Sequence, residues 1–414
     1  MSADDSDTPQ RVLSVDAFRG FVMLLMMAEV LQLGTMAPQF HYDDPAYEFW
    51  EQVRIHTTHV EWVGGSLHDL IQPAFTFLVG VSLPFSIAQR EAKRQSFARM
   101  LLHAVWRSIL LIAIGIFLRS VGRPQTNWMF TDTLGQIGLG YTVLFLIGYA
   151  SQRSLSALSW MLPWGSLVLI LVGYWALFAF YPIPDDDFHF RSVGITDQWW
   201  VENHLPGFLA HWNKDMNPAM DFDIWFLNLF PRAAEFTPRG GGGYATLSFI
   251  PTLGTMILGL IAGTWLRLDW PGLRKFLLFV FVGLAGIGIG IGLEHLEICP
   301  IVKRIWTPTW TIYSCGWTFL LLAGFFLVID VIGFWRWAYP LFVLGANSIV
   351  AYCANGLFRR FLIDNWRTHL GAETFRYFDT EALKWERLLL GLAVLATLFL
   401  MLLWMYRNRI FVRI

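Results

Sequence analysis

The sequence predicts an all-α polytopic membrane protein with about ten transmembrane helices. Three observations carry that expectation. Hydrophobic residues make up 55% of the 414 and charged residues 15%, with a mean hydropathy of +0.48, too little charge to cover a soluble surface of this size. The apolar residues lie in blocks: residues 276–293 run for 18 positions without a charge, and 309–329 and 388–406 are further such runs. As helices, blocks of that length cross a hydrocarbon core of ~30 Å. Tryptophans flank many blocks, among them Trp62, Trp106, Trp160, Trp265, Trp270 and Trp404, as interfacial aromatic belts do.

In chain order, hydropathy places the spans at 15–33, 67–88, 100–118, 136–150, 157–180, 244–265, 273–293, 309–331, 339–358 and 388–406. An acidic tail, 1–13, precedes them and reads as disordered. The first run contains Glu29 and no small-x-small cleavage site, so it reads as a retained helix. Residues 14–414 are expected to form one transmembrane domain with one large loop, 181–243, which carries Asp185 to Asp187, three histidines and Gly240 to Gly243. Short basic loops set the orientation. Arg90, Lys93, Arg94 and Arg99, then Arg153, then Arg267, Arg274 and Lys275, and finally Arg407, Arg409 and Arg413 fall on one side when both termini are cytoplasmic. The longer loops 34–66, 181–243 and 359–387 then lie outside. The expected localisation is an integral multi-pass protein, in the plasma membrane of a bacterial cell.

The charge balance of −1 gives no reason to expect nucleic acid or another polyanion as partner. Cys299, Cys315 and Cys353 are scattered and form no CxxC pair, which argues against a zinc framework or a disulfide scaffold. His56, His59 and His68 match no familiar ligand spacing, and no metal is expected.

The chemistry-bearing residues concentrate in 56–84, where a polar loop with Gly64 and Gly65 feeds an apolar helix. Asp69, Gln72 and Thr76 would share one face of that helix. The imidazole of His59 titrates near ~6.5 when unperturbed, so it can act as a base or carry an acyl group as a nucleophile. Standing alone, it would be an ordinary loop histidine. Glu29 inside span one costs ~2.5–3.5 kcal/mol at the centre of a bilayer, so it should face water or the bundle interior. In the opening motif SVDAFRG, Ser14 is expected to cap the first helix, and Asp16 and Arg19 form either a structural pair or a phosphate-facing arginine. Gln136 starts span four. Asn347, Ser348, Tyr352 and Asn355 put polar groups into span nine, where bonds between helices explain them as well as a substrate pocket does.

Four stretches together resemble the heparan-α-glucosaminide N-acetyltransferase family, the lysosomal transmembrane acetyltransferase and its bacterial relatives. They are SVDAFRG, HVEWVGGSLHDLIQPAFTFLVGVSLPFS from His59, PIVKRIWTPTWTIYSCG from Pro300 and LGANSIVAY from Leu344; GQIGLGY is a weaker match. The resemblance implies transfer of acetyl from cytoplasmic acetyl-CoA to an extracytoplasmic amino sugar or glycan, and a homodimer in the lipid bilayer. It implies His59 as catalytic histidine with Asp69 and Glu29 as polar support. Asp16, Arg19 and Gln136 would sit on the CoA side, and Trp62, Lys303 and Asn347 on the acceptor. Three features depart from the family: Glu29-Val30 stands near the place where it offers an asparagine, Ile137 where it often has arginine, and loop 34–58 is longer. The large lumenal N-terminal domain of the lysosomal enzyme has no counterpart in the chain. The other class of function that fits intramembrane polar residues is a transporter of a small polar or sugar-like solute, without chemistry.

Overall fold

The computed structural model describes residues 12–153, 158–183, 189–238, 242–380 and 384–412. Most of the acidic tail, Asp185 to Asp187, Gly240, Gly241 and Arg413 lie outside the described residues. The helices in chain order are α1 (Leu13–Met27), α2 (Tyr47–Thr57), α3 (Ile71–Ala92), α4 (Phe97–Ser120) and α5 (Thr133–Arg153). Then come α6 (Leu158–Ala179), α7 (Asp197–Asn203), α8 (Pro218–Leu227), α9 (Phe249–Arg267) and α10 (Gly272–His295). The last four are α11 (Pro308–Phe326), α12 (Tyr339–Ala346), α13 (Ser348–Leu370) and α14 (Glu386–Arg407). Among the described residues nine helical segments are long and apolar enough to cross a membrane, ten if one bent pair counts as a span. The chain is an all-α polytopic membrane protein. In hydrocarbon no backbone group can be left without a partner, and a continuous apolar block of this length meets that within itself as a helix.

The chain divides into two compact units. One comprises Glu61–Gly64 and Gln72–Leu327. Its centre is α9, 83% of whose most apolar stretch is buried, whereas only 17% of α10's is. α5, α6 and α11 pack on α9, α10 lies along α11, and α4 lies along α5. The 181–243 segment, expected as a loop, carries α7 and α8. Here Trp62, Trp199, Trp212 and Phe178 form an aromatic core with Cys299, Val302 and Ile305. Gly64 turns at φ +101°, a conformation that costs a β-carbon-bearing residue, and its N–H donates to Ile301 O at 2.8 Å. The Pro300 motif is a tight helix entry. Thr307 Oγ1 accepts from Trp310 N at 3.2 Å and lies 2.7 Å from Pro300 O, with Pro308 opening α11.

The other unit comprises Leu13–Val60, Gly65–Ile71 and Val328–Ile414. Here α1 lies against α12, and α13 against α14. Ser14 does not cap α1. The carboxylate of Asp330 does, accepting from Leu13 N at 3.2 Å and Ser14 N at 3.1 Å. An acid at a helix N-terminus answers both the unpaired N–H groups and the dipole. The expected span 339–358 is not one straight helix. Asn347 breaks it, and the segments on either side meet at 68°. The Asn347 amide donates to Ile410 O at 2.9 Å and accepts from Val412 N at 3.0 Å, which ties the break to the C-terminal strand of chain. Trp366 Nε1 donates to Thr397 Oγ1 at 3.1 Å between α13 and α14.

Gly20 sets how close α1 and α12 come. A Cβ at that position would lie 1.8 Å from Leu341 O, a backbone atom with nowhere to move. Gly20→Ala is therefore expected to destabilise the protein by about 1–3 kcal/mol or more through overpacking. A thermal melt in detergent should drop by several degrees, while Gly173→Ala, with nothing within 4 Å of its Cβ, should melt close to wild type.

Candidate active site

The site is built on the turn between α2 and α3, in the unit that contains α1. At the end of α2 the Thr57 and Thr58 hydroxyls donate back to Val53 O and Arg54 O, at 2.7 and 2.8 Å. Thr58 then turns extended, and His59 follows. Ten residues further, Asp69 lies in a short 3-10 turn, His68–Leu70, that leads into α3. Asp69 thus stands at the 3-10 entry to the helix that carries Gln72 and Thr76. The Thr76 hydroxyl donates to Gln72 O at 2.8 Å.

His59 Nδ1 lies 2.7 Å from Asp69 Oδ1. The Asp69 side chain is 1% exposed and that of His59 39%. The other carboxylate oxygen, Oδ2, accepts from Val60 N at 3.2 Å and Ser66 N at 3.1 Å, with Ser66 Oγ 3.0 Å away. The Ser66 hydroxyl also lies 2.7 Å from Thr58 O, and its single proton serves one of the two. A buried carboxylate with its lone pairs occupied is a fixed support. It orients the ring and favours the tautomer with the proton on Nδ1 and the lone pair on Nε2.

Two further groups close the site. His68 stacks obliquely on His59, centroids 4.4 Å apart, and its Nε2 lies 3.0 Å from Glu29 Oε1. Glu29 is not within α1, which ends at Met27. It sits on a 3-10 turn, Ala28–Leu31, closed by Gln32 in the left-handed region. α14 packs on that turn. Glu29 and His68 line a cavity of about 370 Å³ together with Gln32, His56, Thr58 and Leu67. Sequence reasoning missed the roles of Ser66 and His68. The usable signal for His68 was that an intramembrane glutamate needs a partner, and three histidines stood nearby.

The remaining sequence-derived residues have partners of their own. Asp16 and Arg19 pair with each other at 3.3 Å, the structural alternative. Asn347 holds the C-terminal segment, as above. In the other unit, Trp62 is 1% exposed and donates from Nε1 to Trp212 O at 3.1 Å. Lys303 is also buried there. Gln136, at the start of α5, donates to Phe130 O at 2.8 Å and Thr246 O at 3.2 Å. Thr246 N in turn donates to Asp223 Oδ2 at 2.9 Å.

This geometry defines a class: a polytopic helical membrane protein that keeps one imidazole oriented by a buried carboxylate, on a turn whose Thr58 and His68 line a cavity. No family model matches the chain. Two curated proteins do. Human heparan-alpha-glucosaminide N-acetyltransferase is 25% identical over 392 residues, 87% of this chain and 55% of the human protein. The mouse protein of the same name is 24% identical over 387 residues, 86% of this chain and 55% of its own length. The chain spans about half the length of the curated relatives it matches.

Burial pushes the carboxyl of Asp223 up to about 6, against the hydrogen bonds from Thr246. An unfolded aspartate titrates near ~3.9, so between those values the folded chain binds the extra proton and stability falls as pH rises. Above about 6 the cost is fully in place. Asp223→Asn keeps an acceptor for Thr246 N and cannot ionise. Its melting temperature relative to wild type should rise between pH 4 and pH 7, by an amount worth roughly 1–3 kcal/mol. A flat difference across that range would assign the carboxyl an ordinary titration.

Proposed function

We propose that the protein is a transmembrane acetyltransferase that takes acetyl from acetyl-CoA on the side of the short basic loops and delivers it to an amino sugar or glycan on the other. The observation that carries this reading is His59 seated on buried Asp69 and stacked on His68, which lines a cavity. The similarity to two N-acetyltransferases supports the donor and the amine acceptor. In this reading both termini are cytoplasmic, and the basic loops supply positive charge for the CoA phosphates.

Two routes use the same ring. As carrier, His59 Nε2 attacks the thioester carbonyl, the C–S bond breaks, CoA leaves as thiolate, and an acetyl-imidazolium remains with its Nδ1–H on Asp69. The neutral amine of the acceptor then attacks that acetyl group, the C–N bond to the ring breaks and returns the neutral imidazole, and the amine proton passes to solvent as the amide forms. As general base, His59 Nε2 takes the amine proton while the amine attacks the thioester directly, and passes it to the departing sulfur. In both, Asp69 is a positioning residue. It holds Nδ1–H and stabilises positive charge as it develops on the ring. Glu29 and His68 border the cavity where the acceptor would approach.

The test is purified protein in detergent or vesicles, labelled acetyl-CoA and a panel of amino sugars. Label should move to at least one acceptor. His59→Ala should lower turnover by about 100-fold or more in protein that still folds and elutes as wild type does. Asp69→Asn should lower it at least about ten-fold, mostly in kcat, because the ring loses its preferred tautomer. Full turnover by the His59 variant ends the proposal.

A further inference from the structure

We propose that Glu29, His59 and His68 form a binding site for one divalent transition-metal ion of the zinc type. Their candidate ligand atoms all lie within 4.8 Å of one another. One pair lies a few tenths of an ångström inside the separation that a metal site needs. In a tetrahedral site with bonds of ~2.0–2.1 Å, neighbouring ligand atoms stand roughly 3.3–3.4 Å apart. His68 Nε2 and Glu29 Oε1 are 3.0 Å apart. An ion between them replaces the shared proton, which leaves to solvent.

The surroundings supply what a bare trio lacks. A metal-bound histidine characteristically gives its other ring nitrogen to a carboxylate, which fixes the tautomer and raises basicity. His59 Nδ1 meets Asp69 Oδ1 at 2.7 Å, and Asp69 is buried and held by Val60 N and Ser66 N. That assigns ligation to Nε2. Two imidazoles and one carboxylate make a three-protein-ligand set with a fourth position for water. Imidazole ligands favour zinc, copper or nickel over magnesium or calcium. Glu29 and His68 line the cavity of about 370 Å³, which provides a way in. The spacing along the chain hides this set, because Glu29 comes from the end of α1 and the two histidines from opposite ends of one turn.

The binding claim is independent of the acetyl-transfer reading. A consequence that does rest on that reading is that the ion occupies the Nε2 lone pair of His59 and so inhibits turnover. The experiment reads binding directly. Full-length, tag-free protein in detergent is stripped with EDTA, dialysed, and titrated with CoCl2, then ZnCl2. One equivalent of Co2+ should bind with the visible d–d absorption of a low-coordinate site, and Zn2+ should displace it. His68→Gln and Glu29→Gln should each weaken binding at least ten-fold, while His56→Gln, in the same cavity but outside the trio, should not. Absence of a saturable equivalent in wild-type protein overturns the proposal, whatever the variants do. So does binding that both variants retain unchanged. Metal binding without acetyl transfer would sustain the site and sink the enzymatic reading. Transfer that Zn2+ at saturation leaves untouched would separate the ion from His59.

Discussion

The interaction on which the site depends is the hydrogen bond between His59 and a carboxylate that water does not reach. A carboxylate at the Asp69 position is costly unless its oxygens are occupied. One faces His59 Nδ1 and the other takes two backbone N–H groups of the same turn. The turn, the acid and the ring therefore fix one another. Removing the charge would leave three donors facing a weaker acceptor, and removing the ring would leave the acid short of a partner. Such mutual dependence gives an exposed loop histidine one orientation and one tautomer.

The rest of that unit holds the second half of the cluster in place through backbone contacts. α1 approaches α12 closely because Gly20 has no side chain, and its first N–H groups end on Asp330. The helix then stops at Met27, so the chain after it can turn and present Glu29 sideways into the cavity. A glutamate one turn earlier, within α1, would have needed a partner inside the bundle. On the 3-10 turn it meets His68 and remains partly open to water. The break at Asn347 is tied down by the chain's own C-terminal residues, because the Asn347 side-chain amide bonds to the backbone of Ile410 and Val412.

The helices were legible in the sequence because a membrane leaves an apolar block only one way to satisfy its backbone. What that signal cannot carry is interruption. The 339–358 stretch stays apolar through Asn347, and the amide partners that explain its break lie more than sixty residues away. Asp330 as the cap of α1 lies 316 residues from Ser14, so a local rule chose Ser14 instead. The 34–66 and 181–243 segments read as loops because polar and aromatic residues alternate there without a span's hydropathy, although α2, α7 and α8 are helical. At the site, His59, Asp69 and Glu29 could be named from residue type and place. Their pairing could not, since it depends on how one ten-residue turn closes.

One ring nitrogen links the chemical possibilities of this cluster. An imidazole whose Nδ1 is committed to a carboxylate presents a single lone pair at Nε2. A proton, an acetyl group and a metal ion all need that same pair, so they exclude one another. The arrangement that strengthens one role strengthens the others, because a carboxylate behind the ring raises its basicity, its nucleophilicity and its affinity for a cation together. What separates them is the neighbourhood. Glu29 and His68 add two more donors at a distance that suits a small cation, whereas an acyl group asks only for room and an approaching amine. The residue near the end of α1 therefore matters more than the histidine in choosing among occupants. An amide there would still hydrogen-bond to His68 but would contribute a far weaker ligand, and the balance at His59 would move from metal toward acyl transfer.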